Sequence, residues 1–358
     1  MKRSSRCMLA AGVVLSLLSG APSAVQAESR KVPHVQGVAE LPAVPRKVAV
    51  LGLAALDTLD ALGVDLAAVP APPSGESTVR WPAHLIARYS GDRYVRLPAA
   101  ARDGGADPRI AGIKDLRPDL IIVDGRGGGQ LDELKGIAPI VDLSVSNTSL
   151  VASVAQNILT VGAAFGREKE AGDRLHALLG EVRALHEQAA KQGTGLVMFA
   201  VGNRVMPQQP DARFGMVYEL VGIRPALRPD EGQGLSTGRP QAAAPADDSP
   251  EARAAAEAAQ KERQAAEERY LSEVMAREPD WLFVVDRNAA FGEAKAAETM
   301  AATPVVANSK AWREGKVVFL DQDGANWYLM AGGLGLLEKS VRQVKAAFDA
   351  GKGAGIRR

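Results

Sequence analysis

The sequence predicts an α/β protein of two similar lobes joined by a single long helix, and three observations carry that expectation. A ten-residue stretch occurs twice, as Arg117-Pro118-Asp119-Leu120-Ile121-Ile122-Val123-Asp124-Gly125-Arg126 and as Glu278-Pro279-Asp280-Trp281-Leu282-Phe283-Val284-Val285-Asp286-Arg287. Each copy passes from Pro-Asp through an unbroken apolar run and reaches an arginine eight positions after the proline. Such runs, with β-branched and aromatic members, suit strands buried on both faces of a parallel sheet. Strand patterns also alternate with helical ones over short connections, the signature of parallel sheets. Between the two copies lies the longest helical pattern of the N-terminal two thirds, from about Ser149 to Lys191 with a break near Gly166. Because proline fixes φ and donates no ladder bond, Pro-Asp marks each strand's entry, and Arg126 and Arg287 fall just past the carboxyl ends. Open α/β sheets bind ligands at that end. The halves therefore read as Rossmann-like lobes, each pointing a cation at shared ground.

In chain order, residues 1–27 read as a secretory signal. Lys2, Arg3 and Arg6 precede an apolar run from Met8 to Leu18, too short to span a bilayer, and Val25-Gln26-Ala27 offers the small residues of a cleavage site. Cys7 is the only cysteine and stands before the apolar run, whereas a lipoprotein cysteine would follow it, so no lipid anchor is expected. The mature chain then has no disulfide, thiolate metal site or cysteine nucleophile. The whole chain has 43 basic and 42 acidic residues; removing the three cations of the leader leaves 40 against 42, a formal charge of −2. With no basic field, nucleic acid is not an expected partner, and attraction for any anion must be local.

Residues 28–150 are expected to form the N-terminal lobe. Its first part, about 28–45, reads as extended. Val48–Leu51 is a buried-type strand, Leu53–Leu62 a helix stopped by Gly63, Val64–Val69 the next strand, and Trp81–Tyr89 a short helix. After the first repeated strand, Gly127-Gly128-Gly129 lacks the spacing and the lysine of a phosphate loop. Residues 151–192 are expected to be a helical spine. From Arg167 on, its apolar positions Ala171, Leu175, Leu178, Leu179, Val182 and Leu185 share one face. Some 24 residues would make about 36 Å of helix.

Residues 193–358 form the expected C-terminal lobe. Leu196–Val201 is its first strand. Ala212-Arg213-Phe214-Gly215 leads into a helix ended by Gly222. The second repeated strand follows, then the strand Val317–Leu320, the pair Trp327-Tyr328, and Gly332-Gly333 before a terminal helix from Leu334 to Phe348. Residues 238–268 break the pattern. They are rich in Ala, Glu, Gln, Arg and Lys, with almost no apolar face, and read as a solvated, partly disordered helical insertion; a lid over the ligand is the sharper alternative.

No catalytic constellation emerges, and an enzyme is not expected. His34, His84, His176 and His186 are scattered, and no nucleophile elbow occurs. What remains at loop ends is Arg126, Arg213, Arg287, Trp327 and Tyr328. Arginine keeps its charge when desolvated and stacks on flat rings. Three arginines with a Trp and a Tyr suit a large aromatic polyanion such as a ferric catecholate, and a Tyr phenolate is a hard oxygen donor for Fe(III).

These residues resemble the periplasmic ferric siderophore-binding proteins of ABC importers, in the enterobactin- and petrobactin-binding branch (FatB and CeuE type). The likeness runs from Val48 to Phe348 apart from the insertion. It rests on Ala55–Gly63, Pro118–Arg126, Ile137–Leu143, Arg213-Phe214-Gly215, Pro279–Arg287 and Trp327-Tyr328-Leu329 with Gly332-Gly333. The resemblance implies two α/β lobes on a helical backbone, the class III periplasmic binding protein fold, with the ligand in the cleft between them. By resemblance, Arg126, Arg213 and Arg287 match the arginines around the anionic complex, and Tyr328 the tyrosine that can coordinate iron directly. It further implies a monomer in the periplasm with no intrinsic cofactor. Its cargo would be a ferric siderophore carrying Fe(III), and its partner an inner-membrane ABC permease. One departure stands out. Where relatives carry a His in a Ser-Thr-His-Gly context, this chain reads Leu235-Ser236-Thr237-Gly238-Arg239, which favours a hexadentate ligand or one completed by Tyr328 alone. The rivals left open are a same-fold receptor for haem, cobalamin or a metal ion, and a secreted siderophore esterase.

Overall fold

The computed structural model describes residues 29–71, 81–98, 107–125, 131–228, 249–292, 296–320 and 327–353. The elements in chain order are β1 (Arg30–His34), β2 (Gly37–Leu41), β3 (Val48–Val50), α1 (Leu53–Ala61), β4 (Ala68–Pro70), α2 (Ala83–Tyr89), β5 (Val95–Leu97), α3 (Arg109–Leu116), β6 (Leu120–Val123), α4 (Leu131–Leu134) and β7 (Ile140–Asp142). Two long helices follow, α5 (Leu150–Phe165) and α6 (Glu168–Ala189). The remainder comprises β8 (Thr194–Val201), β9 (Arg204–Pro207), α7 (Met216–Val221), β10 (Arg224–Pro225), α8 (Pro250–Met275), β11 (Trp281–Asp286), α9 (Arg287–Ala290), α10 (Ala296–Ala302), α11 (Pro304–Ala307), α12 (Lys310–Arg313), β12 (Val317–Phe319), α13 (Trp327–Met330) and α14 (Leu334–Ala350).

Two sheets of five strands organise two α/β lobes. The first runs β5-β4-β3-β6-β7, all parallel; the second runs β10-β8-β11-β12, also parallel, with β9 antiparallel on β8. The repeated stretches supply central strands, β6 and β11, buried along their whole length. Successive residues of a strand face opposite sides. Accordingly Leu120 and Ile122 enter one core while Ile121 and Val123 enter another, and Phe283 and Val285 are divided from Leu282 and Val284 in the same way. The inner faces of both sheets share a single apolar core with α1, α5, α6, α7 and α14.

The Pro-Asp half of each repeat builds the sheet. Arg117 and Glu278, immediately before the prolines, both take φ of 50°, and they are the only non-glycine residues with positive φ among the described residues. That turn aims the aspartate at the neighbouring strand's start. Asp119 accepts from the N–H groups of Arg46 and Lys47 at 2.8 and 2.9 Å, and Asp280 accepts from Thr194 N–H at 2.9 Å. The two repeats thus fasten β3 to β6 and β8 to β11 by the same device.

The helical stretch before β8 is two helices. Gly166 takes φ of +64° and turns the chain, and α5 folds back on α6 so closely that a Cβ on Gly162 would stand 2.6 Å from the Ala171 Cβ. The straight connector is therefore α6 alone, 22 residues and about 33 Å. At its amino end Arg167 donates to the Leu62 carbonyl at 2.8 Å, behind α1. At its carboxyl end the His186 ring meets the Glu219 carbonyl at 2.9 Å, at the end of α7.

Two further segments differ from the sequence expectation. Residues 30–41, read only as extended, form the β1–β2 hairpin, which packs on α5 and β7. The described part of the insertion belongs to a 26-residue helix, α8, capped by the Ser249 hydroxyl with proline in its first turn. It runs past residue 268 because its last turns are apolar: Tyr270, Leu271, Val274 and Met275 join the outer core of the second lobe. Residues 229–248, with the Leu235–Arg239 stretch, lie outside the described residues, as do the leader and Gly127–Gly129.

Two histidines tie the first lobe to pH with opposite signs. His34 Nδ1 accepts the N–H groups of Gln36 and Asp142 at 3.3 and 3.2 Å, which requires a neutral ring. Burial lowers its pKa, partly opposed by the Asp142 charge. Its contribution is present above the unfolded value of about 6.5 and is lost as pH falls through the depressed folded value. His84 is raised, first by its hydrogen bond to Asp57, so its contribution is present below about 6.5 and is lost as pH rises through the elevated folded value. Thermal melts between about pH 5 and 7.5 should therefore show His34→Gln flattening the acid-side loss of stability and His84→Gln steepening it. Parallel curves for both variants would contradict the assignment.

Candidate functional site

The carboxyl ends of β6 and β7 and the amino end of α1 face the second lobe across a cleft. A cavity of about 230 Å³ lies there, lined on one side by Ala54, Asp124, Gly125, Ser144 and Asn147 and on the other by Arg213, Met216, Leu329 and Ala331. Its first wall is fixed by buried polar groups. Asp124 accepts from Ala55 N–H at 3.0 Å, tying β6 to the start of α1. Gly52 is required there, because a Cβ would overlap the Asp124 carboxylate at 2.0 Å. Asp142 accepts from the Ser144 N–H and hydroxyl at 2.8 and 2.5 Å, setting the loop after β7.

On the second lobe, three of the sequence-predicted residues come together. The Arg213 guanidinium lies 4.6 Å from the Phe214 ring centre and 4.8 Å from that of Tyr328, and it donates to the Tyr328 carbonyl. Arg287, the first residue of α9, lies 4.1 Å from the Phe291 ring and 5.8 Å from the Tyr328 ring. Asp286 caps that turn through Ala289 N–H at 3.0 Å and also accepts from Ala296 N–H at 2.9 Å. One phenol ring thus has two guanidinium neighbours. It is backed by Phe199, stacked at 6.0 Å and 6°, and by Phe291 at 5.7 Å and 66°. Cation–π attraction holds each guanidinium's plane without spending all its N–H donors, and the aromatic bed lowers the local dielectric around the charges.

Two predicted site residues stand differently. Arg126 lies outside the described residues; Gly125, just before it, lines the cavity. Trp327 is a correction. It is 0% exposed, packs in the shared core and donates from Nε1 to Ser340 Oγ at 2.9 Å, so it supports α13 against α14 and presents no ring to the cleft. The aromatic partners missed by sequence are Phe199, Phe214 and Phe291. Phe214 follows Arg213 directly and Phe291 stands four residues after Arg287, the spacing at which helical neighbours meet. Among the described residues no three His, Cys, Asp or Glu side chains gather as a metal-binding group. No residue of α8 lines the cavity.

Comparison with known proteins follows the same outline. The sequence matches the family described as periplasmic binding protein over residues 48–323. It is 27% identical over 313 residues to the petrobactin-binding protein YclQ of Bacillus subtilis, covering 87% of this chain and 84% of that protein. It is 24% identical over 295 residues to the ferric-anguibactin-binding protein FatB of Vibrio anguillarum, covering 80% and 77%. The crystal structure of YclQ superposes with a TM-score of 0.70 at 25% identity over 90% of this chain and 99% of that one. The periplasmic catecholate-siderophore binding protein VctP of Vibrio cholerae shares the fold, with a TM-score of 0.69 at 20% identity over 89% of this chain and 100% of that one. With one family matched across both lobes and the same two-lobe architecture in its relatives, the chain belongs to the periplasmic binding protein family.

Proposed function

We propose that this protein captures a ferric siderophore, of catecholate type, in the cleft between its lobes and delivers it to an ABC permease of the inner membrane. The observation that supports this most strongly is the Tyr328 ring with two guanidinium neighbours, one of which, Arg213, lines a cavity shared with Gly125 of the opposite lobe. Two or three fixed cations suit a trianionic complex, and flat aromatic surfaces suit catechol rings. The names of YclQ, a petrobactin-binding protein, and FatB, a ferric-anguibactin-binding protein, favour the same class of cargo. In this reading Fe(III) is cargo and the protein turns nothing over. Arg126, Arg213 and Arg287 neutralise the complex, and the Tyr328 phenolate completes the iron's coordination where the siderophore leaves positions open. The chain acts as a monomer in the periplasm after loss of residues 1–27, without a lipid anchor.

Tryptophan-fluorescence titration with ferric catecholate, hydroxamate, citrate-type and haem complexes tests the cargo. The tightest binding is expected for a catecholate, and exclusive binding of haem or of a non-catecholate complex would contradict the proposal. Charge-assisted hydrogen bonds contribute about 1.5–3 kcal/mol each, so replacing Arg126, Arg213 and Arg287 together by Ala should weaken binding at least about a thousandfold. Unchanged affinity in that triple variant would refute the site.

Trp327→Phe should behave oppositely. Loss of the bond to Ser340 should cost about 1–2 kcal/mol of unfolding free energy in urea while affinity stays within about twofold. A large loss of affinity at unchanged stability would return Trp327 to the site.

A further inference from the structure

Helix α14 starts without a cap of its own. Its N-cap residue is Gly333, which has no side chain to offer the first free N–H groups, and such groups are costly when buried without partners. The partners come from the opposite lobe. Thr58 Oγ1 accepts from Leu334 N–H at 3.2 Å, and Asp57 Oδ2 accepts from Leu336 N–H at 2.9 Å. Asp57 is 1% exposed, and its charge faces the positive end of a 17-residue helix. The approach is close enough to require glycine at two positions. A Cβ on Gly333 would stand 2.5 Å from Asp57 Oδ2, and one on Gly335 would stand 2.8 Å from Oδ1.

The segment held in this way bears the candidate site. Tyr328 and Leu329 belong to α13 and Ala331 follows it just before α14, and the latter two line the cavity. Gly332, with φ of +96°, sits where a Cβ would stand 2.6 Å from Val145 Cγ1, on the first lobe's side. The turn is therefore gripped at two points. Arg213 holds the Tyr328 carbonyl from within the second lobe, and Asp57 with Thr58 holds the following helix from the first.

We infer that Asp57 is a positioning residue for the ligand site: by capping α14 across the lobe boundary it fixes the turn that carries Tyr328 at one spacing from the opposite wall of the cleft. The inference rests on the cleft being the ligand site, as proposed above. Asp57 itself touches no ligand in this role. Its effect passes through Leu336 N–H to the turn, and so to the phenol ring and its two guanidinium neighbours.

Hydrogen exchange on the ligand-free protein, paired with ferric-catecholate titration, tests the inference in Asp57→Ala, Asp57→Asn and Gly335→Ala. Asp57→Ala should speed exchange over residues 327–337 at least about tenfold, leave the strand at 194–201 unchanged, and weaken binding at least about tenfold. Asparagine keeps an acceptor oxygen and should recover most of both losses. Gly335→Ala adds no unfavourable helix propensity yet displaces the carboxylate, so it should reproduce the alanine result, and it serves if Asp57→Ala fails to fold. Arg174→Ala cuts a different contact to α14, the paired bonds to Glu338 at 2.6 and 2.7 Å; it should lower the melting temperature and leave both readouts within about twofold. Unchanged exchange over 327–337, or affinity within about twofold of wild type in Asp57→Ala and Gly335→Ala, overturns the inference. Should the unaltered protein bind no ferric catecholate, the functional reading fails by itself, and the exchange pattern still decides whether Asp57 holds the turn.

Discussion

The contact on which the candidate site depends is a phenol ring shared by two guanidinium groups. Arg213 arrives from the loop after β9, Arg287 from the end of β11, and Tyr328 from the short helix before α14. Three chain segments with little in common locally meet because each follows an element packed on the same core. Like charges repel, so two arginines around one ring persist only where aromatic faces and backbone carbonyls take up their fields. Phe199, Phe214 and Phe291 supply the faces, and the Tyr328 carbonyl accepts from Arg213.

The same logic recurs at the lobe boundary. Asp57 of α1 takes the N–H of Leu336 at the start of α14, and Glu219 of α7 takes the N–H groups of Leu150 and Val151 at the start of α5. Each carboxylate answers a helix end that has no side-chain cap of its own. Together with the inner-face core common to both sheets, these caps give the two lobes a fixed register in addition to the covalent link through α6. Cleft geometry is thus a property of buried polar contacts between the lobes as much as of the connecting helix.

Much of this was legible in the sequence, and the reasons are specific. The repeated strands were visible because doubly buried parallel strands are apolar throughout, and their Pro-Asp entries repeat because both solve the same strand-starting problem. Gly63 and Gly166 mark helix ends since both need positive φ, 67° and 64°. Arg213 and Arg287 could be singled out because they follow recognisable strand or helix boundaries. Trp327 adjoins Tyr328 in sequence, but neighbours in a helix point about 100° apart, and the Trp327 ring enters the core. Asp57 could not be assigned from pattern at all. It lies on an apolar helix, its partner is 279 positions away, and nothing local announces the bond. The hairpin at 30–41 has no strong local signal for a related reason, since its docking depends on α5 and β7.

Anomalous diffraction at the iron edge, on crystals grown with a ferric catecholate, bears most directly on the central claim. The iron is expected in the cleft, within coordinating or hydrogen-bonding reach of Tyr328 and flanked by Arg213 and Arg287. An iron peak elsewhere, for instance in the larger hollow of about 470 Å³ beside Arg204 and Glu267 on the outer side of the second lobe, would contradict it.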